Sequence, residues 1–203
     1  MFIQVIQGKV MDEQALRRNL DRWNQELMPS AVGYLGTTAG FADDGTFVAL
    51  ARFESRDAAR ANSERPEQSQ WWAEMEKCFD GPATFMDCTD VRSWLSGGSD
   101  DAHFVQIMEG RSPDVARMHD LMNKHTDEIH QARPEIIGGL MMDAGEGRFV
   151  DAIYFTSEQE ARAGEKKDMP QDLQADMEEG MRLMGDVEYL DLHQPILVSP
   201  GRR

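Results

Sequence analysis

The sequence is poor in cysteine and in basic residues, and each shortage excludes a class of protein. Its two cysteines, Cys78 and Cys88, form no CxxC pair and have no histidine at a zinc-ligand spacing, so neither a disulfide framework nor a structural zinc site is predicted. Lys and Arg number 21 against 37 Asp and Glu, a formal net charge of −16. Nucleic acids and anionic membranes both require clustered positive charge, so we predict neither as a partner.

The chain also lacks long apolar runs and several catalytic motifs. No run approaches the roughly 18 residues of a membrane span, and the first residues lack the basic segment and cleavage site of a secretory signal. HExxH, GxGxxG and GxSxG are all absent, so zinc-protease, dinucleotide and serine-hydrolase sites are not predicted. We therefore predict a cytoplasmic protein with no metal and no cofactor.

Two stretches near the start of the chain recur about 100 residues later. FIQVIQG at 2–8 matches FVQIMEG at 104–110, an offset of 102. DDGTFVALARFESRDAARA at 43–61 matches AGEGRFVDAIYFTSEQEARA at 144–163 at nearly the same offset. Matches that keep their order along a chain of 203 residues indicate two copies of one unit of about 100 residues.

The repeat also predicts the domain boundaries. GPATFMD at 81–87 matches GDVEYLD at 185–191, and between the copies lies SGGSDDA, whose small and acidic residues have no apolar periodicity. Such a segment is typical of a flexible connector. We predict a first repeat at 1–95, a linker at 96–102 and a second repeat at 103–203.

Each copy shows the pattern of a β-α-β-β-α-β unit. In the first copy an apolar strand precedes a helical stripe, and AVGYLGTT and TFVALARF flank the turn-rich FADDG as an antiparallel hairpin. A second helical stretch, broken at Pro66, and the strand ATFMDCTDV complete the unit. The second copy repeats this order, with Ser112 and Pro113 predicted at the start of its first helix.

Both faces of the strands are apolar, so a sheet with helices on one side needs cover on the other. The pattern therefore predicts an α+β protein of two tandem ferredoxin-like units, whose antiparallel sheets pack into one intramolecular α+β barrel.

VALARFESRDAARA, its counterpart AIYFTSEQEARA, and the order of the elements over essentially the whole chain carry a family resemblance. The chain resembles the dimeric α+β barrel superfamily, particularly its antibiotic-biosynthesis-monooxygenase-like branch, as a tandem fusion. That superfamily includes cofactor-independent oxygenases of phenols, haem-degrading enzymes, muconolactone isomerases and many proteins without an assigned activity. The resemblance implies a small-molecule cavity, and it leaves the reaction open.

The helical stripes of the two copies differ at one informative position. Val115, Met118, Met122, His125 and Ile129 repeat the spacing of Leu16, Leu20, Trp23 and Leu27. His125 therefore takes the place of Trp23 on an inward face. It is predicted as a general base, a haem-iron ligand or a hydrogen-bonded core residue.

A matched amide in each first strand is the second candidate feature. Gln4 and Gln106 each share a strand face with apolar neighbours, where an amide needs a hydrogen-bonding partner. Each is predicted either to orient a ligand at a pocket wall or to bond to the other across the pseudo-twofold axis.

Trp71 and Trp72 have no aromatic counterpart in the second copy, where Ala175 and Asp176 align. We predict that this tryptophan pair lines an aromatic pocket in one half, or packs at a core or subunit contact.

The leading prediction is a protein that binds a small apolar or aromatic ligand, with cofactor-independent oxygenation of an aromatic or polyketide-like phenol as its chemistry. Trp23, Trp71 and Trp72 would line the pocket, Gln4 would orient the substrate, and His125 would act as base. The alternatives are a haem or tetrapyrrole binder and a non-enzymatic interaction or stress protein. We predict a monomer with an internal pseudo-twofold or a homo-oligomer.

Overall fold

The computed structural model describes residues 1–167 and 171–201. These residues form two compact units. Unit 1 comprises residues 1–89 and the segment that begins at Ile196, and unit 2 comprises Asp90–Pro195. Within the described ranges, no helix is long and apolar enough to cross a membrane.

Unit 1 is a five-stranded antiparallel sheet with helices packed on one face. Its elements are β1 (Phe2–Lys9), α1 (Glu13–Arg22), a π-helical turn (Trp23–Leu27), a 3-10 turn (Met28–Ser30), β2 (Tyr34–Phe41), β3 (Thr46–Phe53), α2 (Arg56–Ser63), α3 (Pro66–Met75), a 3-10 turn (Glu76–Cys78) and β4 (Thr84–Cys88). The fifth strand comes from the segment after residue 195, and we number it β10 (Ile196–Val198). The strand order is β10-β2-β3-β1-β4.

Unit 2 repeats this architecture, and its sheet has the order β5-β7-β8-β6-β9. Its elements are β5 (Asp90–Leu95), β6 (Phe104–Arg111), α4 (Val115–Lys124), α5 (Thr126–Ala132), β7 (Ile136–Gly145), β8 (Arg148–Phe155), α6 (Glu158–Gly164), α7 (Gln171–Met184) and β9 (Val187–Leu192). The predicted α+β class and the two tandem ferredoxin-like units are confirmed. The packing of the two sheets into one barrel stays a prediction.

Each sheet receives its edge strand from the end of the other repeat. β5, which follows the first repeat's last strand by one residue, pairs with β7 over six residue pairs from Asp90↔Asp143 to Leu95↔Gly138. β10 pairs with β2 over three residue pairs. The compact units therefore differ at their ends from the predicted repeats 1–95 and 103–203. The predicted boundaries divide the sequence, so they assign β5 to the first repeat and β10 to the second.

A glycine at matched positions of the two sheets permits this exchange. Gly36 and Gly138 both lie at a bulge, in β2 and β7 respectively. A Cβ on Gly36 would lie 2.6 Å from the backbone oxygen of Val198, and one on Gly138 would lie 1.9 Å from that of Gly97. Each glycine therefore leaves room for backbone of the exchanged segment.

Most of the helix starts are set by side-chain caps. Asp12 accepts a hydrogen bond from the amide of Ala15 at 2.9 Å, and Ser55 caps α2 through the amide of Ala58 at 3.1 Å. In the second repeat Asp114 is the N-cap of α4, accepting from the amide of Arg117 at 2.9 Å. The predicted cap at Ser112 is wrong by two residues, because that hydroxyl accepts from the Asp114 amide instead.

The helix-side cores of the two units differ in composition. Unit 1 is rich in aromatic rings: Phe2, Trp23, Tyr34, Phe47, Phe53, Trp71 and Phe79. Unit 2 combines fewer rings with Met108, Met118 and Met141. The unbranched thioether of methionine fills irregular space between other side chains, whereas aromatic rings present flat faces. The two units therefore present different side chains to a ligand.

Candidate functional site

A cavity lies in unit 1 between the helix-facing side of the sheet and the helices. Its floor is a row of alternate β3 residues, Phe47, Ala49, Ala51 and Phe53, which share one face of the strand. The small side chains of Ala49 and Ala51 leave the space, and Ile196 of β10 borders it. The cavity has a volume of about 90 Å³, several times the roughly 10–15 Å³ that one water needs.

Aromatic rings form the helical wall of this cavity. Trp23 meets Tyr34 edge to face with ring centroids 4.8 Å apart, and its centroid lies 6.3 Å from that of Trp71. Trp72 contacts Trp71 at 6.0 Å and the exposed Phe85 at 5.0 Å. Edge and tilted contacts at these distances are the favoured arrangements of aromatic pairs, so these rings pack favourably against one another.

The cavity also contains amide side chains whose oxygens already accept one hydrogen bond each. The indole of Trp23 donates to Gln68 Oε1 at 2.7 Å, and Arg65 donates to Asn62 Oδ1 at 2.9 Å. Each of these amides also carries an NH2 group, which donates, and its oxygen can accept a second hydrogen bond. Asn24 is a further amide in the lining. The helical side thus offers amide groups, donors among them, to a polar atom of a ligand.

None of the described residues that line this cavity is Asp, Glu, Lys, Arg or His. Its polar groups are amides, hydroxyls such as Tyr34, which donates to Thr37 at 2.7 Å, and indole N–H groups. A charged ligand would lose its hydration without gaining a counter-ion. The cavity therefore suits an uncharged molecule.

Gln4 and Gln106 have the same local anchor but different surroundings. Gln4 Nε2 donates to Asp87 Oδ1 at 3.1 Å, and Gln106 Nε2 donates to Asp191 Oδ1 at 2.8 Å. Each amide thus bonds to the neighbouring strand of its own sheet. Gln4 also lines the cavity of unit 1, whereas no cavity described in unit 2 includes Gln106.

His125 lies in unit 2, at the break between α4 and α5, and is 8% exposed. Its Nε2 lies 2.6 Å from Asp176 Oδ2, and hydrogen bonds from Lys124 and His125 lower the pKa of Asp176 from 3.8 to about 2. Because that ionised carboxylate only accepts, Nε2 carries the hydrogen. The nitrogen left to accept a proton is Nδ1, which is buried and has no partner among the described residues.

The structure therefore brings together Gln4, Trp23, Trp71 and Trp72 of the predicted site residues around one cavity. His125 and Gln106 belong to the other unit and are not among its lining residues. The burial of Nδ1 does not favour a base or a haem-iron ligand at His125, so both roles stay predictions.

Sequence reasoning missed several lining residues. Asn62 and Gln68 sit on polar stretches of α2 and α3 and read as surface positions, while Ile196 lies beyond the last predicted strand. The buried pair of unit 2 was missed as well: His119 Nε2 lies 3.0 Å from Asp151 Oδ1, and the two residues are 2% and 1% exposed. An acid within the apolar strand RFVDAIYF was the signal that could have found it.

No family model matches the chain, and no curated protein matches it in sequence. Solved structures do match it over its full length. A candidate monooxygenase from Lactobacillus acidophilus NCFM has a TM-score of 0.73 and 10% identity, covering 98% of this chain and 99% of its own. One from Fusobacterium nucleatum subsp. nucleatum ATCC 25586 has a TM-score of 0.76 and 9% identity, covering 100% and 95%.

A third structure, of an anthrone oxidase-like protein, has a TM-score of 0.68 and 10% identity, covering 99% of this chain and 94% of its own. Two-unit chains of this length thus exist with the same fold. The predicted resemblance to antibiotic-biosynthesis-monooxygenase-like α+β proteins in tandem is confirmed at the level of the fold. Identity this low says nothing about the reaction.

Proposed function

We propose that unit 1 binds a small uncharged aromatic molecule that carries a hydroxyl or carbonyl oxygen, and that the bound molecule is oxygenated without a cofactor. The observation that carries the proposal is the uncharged cavity walled by Trp23, Trp71 and Trp72 and supplied with amide donors. Rings favour a flat apolar partner, and the amide NH2 groups favour an oxygen on it.

The cavity is smaller than a single aromatic ring requires. Its volume of about 90 Å³ is below the roughly 150 Å³ of an apolar cavity that holds benzene, so a wall must move for a ring to enter. The half-buried Trp72 and the three-residue strand β10 are the parts of the wall with the least support. We place ligand entry there.

The proposed reaction converts a phenol with a free para position into a quinone. One oxygen atom of O2 replaces the para hydrogen as a carbonyl, the phenol O–H becomes the second carbonyl, and the other oxygen atom leaves as water. The substrate thus gives up four electrons and O2 accepts them. The phenol proton and the para hydrogen both end in that water. Amide donors stabilise the negative charge that develops on the phenol oxygen as its proton leaves, and the apolar wall excludes bulk water.

Binding is tested by titration of tryptophan fluorescence, since three of the four tryptophans line the cavity. Uncharged one- and two-ring phenols and quinones are expected to quench it saturably, and carboxylated analogues are not. Gln4→Ala should weaken binding roughly 2- to 12-fold, the loss of about one hydrogen bond. Gln106→Ala removes the matched bond in unit 2 and should leave the affinity unchanged. Equal effects of the two variants would contradict this site.

Turnover is tested separately with 18O2 and the phenols that bind. One labelled oxygen per quinone and one O2 consumed per substrate are expected. Binding without oxygen uptake would leave unit 1 as a binding module and remove the oxygenase part of the proposal. His125→Ala tests the predicted base: a fall in turnover with unchanged affinity would support that role.

The haem-binding alternative predicts a Soret shift on addition of haemin, which His125→Ala would abolish. The interaction-protein alternative predicts no saturable binding of any phenol. A cytoplasmic location is consistent with the two buried cysteines, Cys78 and Cys88, which are not joined in a disulfide, and remains part of the proposal. So does the oligomeric state, monomer or homo-oligomer, which sedimentation would measure.

A further inference from the structure

A second, smaller cavity lies in unit 2, where α4 packs against α7. It has a volume of about 50 Å³. Half of its ten lining residues are methionines: Met118, Met122, Met177, Met181 and Met184. The polar side chains that line this cavity are His119, Asp151 and Asp176.

The methionines are spaced so that their sulfur atoms can converge. Met118 and Met122 are four residues apart on α4, and Met177 and Met181 are four apart on α7. Residues at that spacing are neighbours on one helix face. Met181 is 69% exposed, whereas Met118 lies in the core of unit 2 and Met122, Met177 and Met184 pack against it. These four thioethers therefore border the cavity from two helices.

Packing alone does not require sulfur at these positions. The matched positions in unit 1 for Met118 and Met122 are Leu16 and Leu20, which fill the equivalent stripe of α1. Leucine and methionine have similar volumes, and exchange between them is tolerated in cores. The thioether adds a soft, uncharged donor, which suits a monovalent ion.

We propose that this cavity is a binding site for a soft monovalent metal ion, Cu(I), held by three or four thioethers from Met118, Met122, Met177 and Met184. Thioether ligands select Cu(I), whereas Zn²⁺, Mg²⁺ and Ca²⁺ prefer imidazole, thiolate or oxygen. His119 Nε2 is bonded to Asp151 at 3.0 Å, and Asp176 is paired with Lys124 and His125, so the donor set is sulfur.

The site is tested with the full chain under reducing, oxygen-free conditions, in a Cys78→Ala/Cys88→Ala background that removes thiolate binding. Cu(I) is titrated in competition with a chromogenic Cu(I) chelator. One equivalent per chain is expected to transfer to the protein. Met122→Leu with Met177→Leu should weaken binding at least about tenfold, since disturbing even an outer-shell partner of a metal site brings 10- to 100-fold losses.

Met28→Leu with Met86→Leu is the matched control, because both residues lie in unit 1 away from this cavity, and it should leave the affinity unchanged. A second readout does not depend on stability: Ag(I), a diamagnetic soft ion, is added to protein labelled with 13C at the methionine methyls. Shifts at Met118, Met122, Met177 and Met184 are expected, and none with Zn²⁺. No shift, or shifts confined to the exposed Met1, Met11 and Met181, would overturn the site.

Discussion

The two units place different chemistry at the same two positions. In unit 1 Trp23 and Trp72 belong to an aromatic wall, with Trp71 between them in contact with both. In unit 2 the matched residues, His125 and Asp176, are joined by a hydrogen bond of 2.6 Å. The rings wall a cavity of about 90 Å³, whereas Asp176 of the bonded pair borders the smaller, methionine-lined cavity of about 50 Å³. One duplicated scaffold thus has an aromatic pocket in one unit and a smaller cavity beside a polar link in the other.

The same contrast appears in the floor of each unit. β3 carries Ala49, which opens the cavity of unit 1, and β8 carries Asp151 at the matched position, paired with His119. An ionisable group this deeply buried is tolerated because it is paired: Asp151 Oδ1 also faces the amide of Met142 at 3.1 Å. A small residue in one copy and a paired acid in the other give the units separate binding properties.

The largest effect is expected from Trp71→Ala. Trp71 is 8% exposed and its indole donates to the carbonyl of Asn19 at 2.7 Å, so truncation removes both a buried ring and its hydrogen bond. We expect the free energy of unfolding to fall by about 3–5 kcal/mol, measured by denaturant titration. The matched Ala175 is exposed, and Ala175→Ser should change it by less than about 0.5 kcal/mol. Similar losses in both would contradict the comparison.

Asp151→Ala is expected to destabilise unit 2 by about 3 kcal/mol, because it leaves a buried imidazole without its acceptor. The substitution gives unit 2 the alanine that unit 1 has at the matched position, Ala49. His119→Leu combined with Asp151→Ala should recover part of the loss, since the imidazole is then removed too and only the Met142 amide has lost an acceptor. Hydrogen exchange of unit 2 amides is the measurement, and a double variant no more stable than the single one would show that the pair is not a unit.

Gly138→Ala is expected to lower stability by about 1–3 kcal/mol, because its Cβ would meet the backbone oxygen of Gly97 at 1.9 Å. Gly36→Ala should behave alike in unit 1, where φ is +142° and Val198 O is 2.6 Å away. Gly180→Ala in α7 has no atom within 4 Å of the new Cβ and should stabilise by about 0.5–1 kcal/mol. If all three variants matched the wild type, the exchanged segments would not approach these glycines so closely.

The smallest effect is a pH dependence confined to the hairpin of unit 1. A hydrogen bond from Lys9 and two from Thr46 lower the pKa of Asp44 from 3.8 to about 2. A lowered folded-state pKa stabilises the fold above the unfolded value, so this contribution is complete above pH 3.8 and is lost as the pH falls toward 2. Because Asp44 is half-exposed, solvent screening limits it to less than about 1 kcal/mol.

Asp44→Asn should therefore lower stability slightly at pH 6 and leave it unchanged at pH 2. Thermal unfolding of the wild type and of Asp44→Asn at the two pH values checks this, and an equal loss at both values would contradict it.

The local sequence pattern was sufficient to predict the repeat, the order of the elements and the difference between the two copies at the aromatic wall. Apolar periodicity shows which face of a helix or strand is buried, and residues close together in sequence are enough to recognise it. Trp23 could thus be placed on an inward face, and His125 at the matched position of the other copy. The cap of α4 was misplaced because Ser112 and Asp114 are both good caps two residues apart, and sequence does not say which one the turn brings to the helix end.

The sequence by itself determined that the chain is a duplicated α+β unit and that its two copies differ in tryptophan and methionine. Only the tertiary structure decided that β5 and β10 exchange sheets, that Ile196 closes the cavity and that His119 meets Asp151. These contacts join residues far apart in the chain. They depend on β-bulges, on glycines that leave room for the backbone of another segment, and on the strand that each edge strand pairs with. No local periodicity encodes such features, so the cavity exists only once the strands are in place.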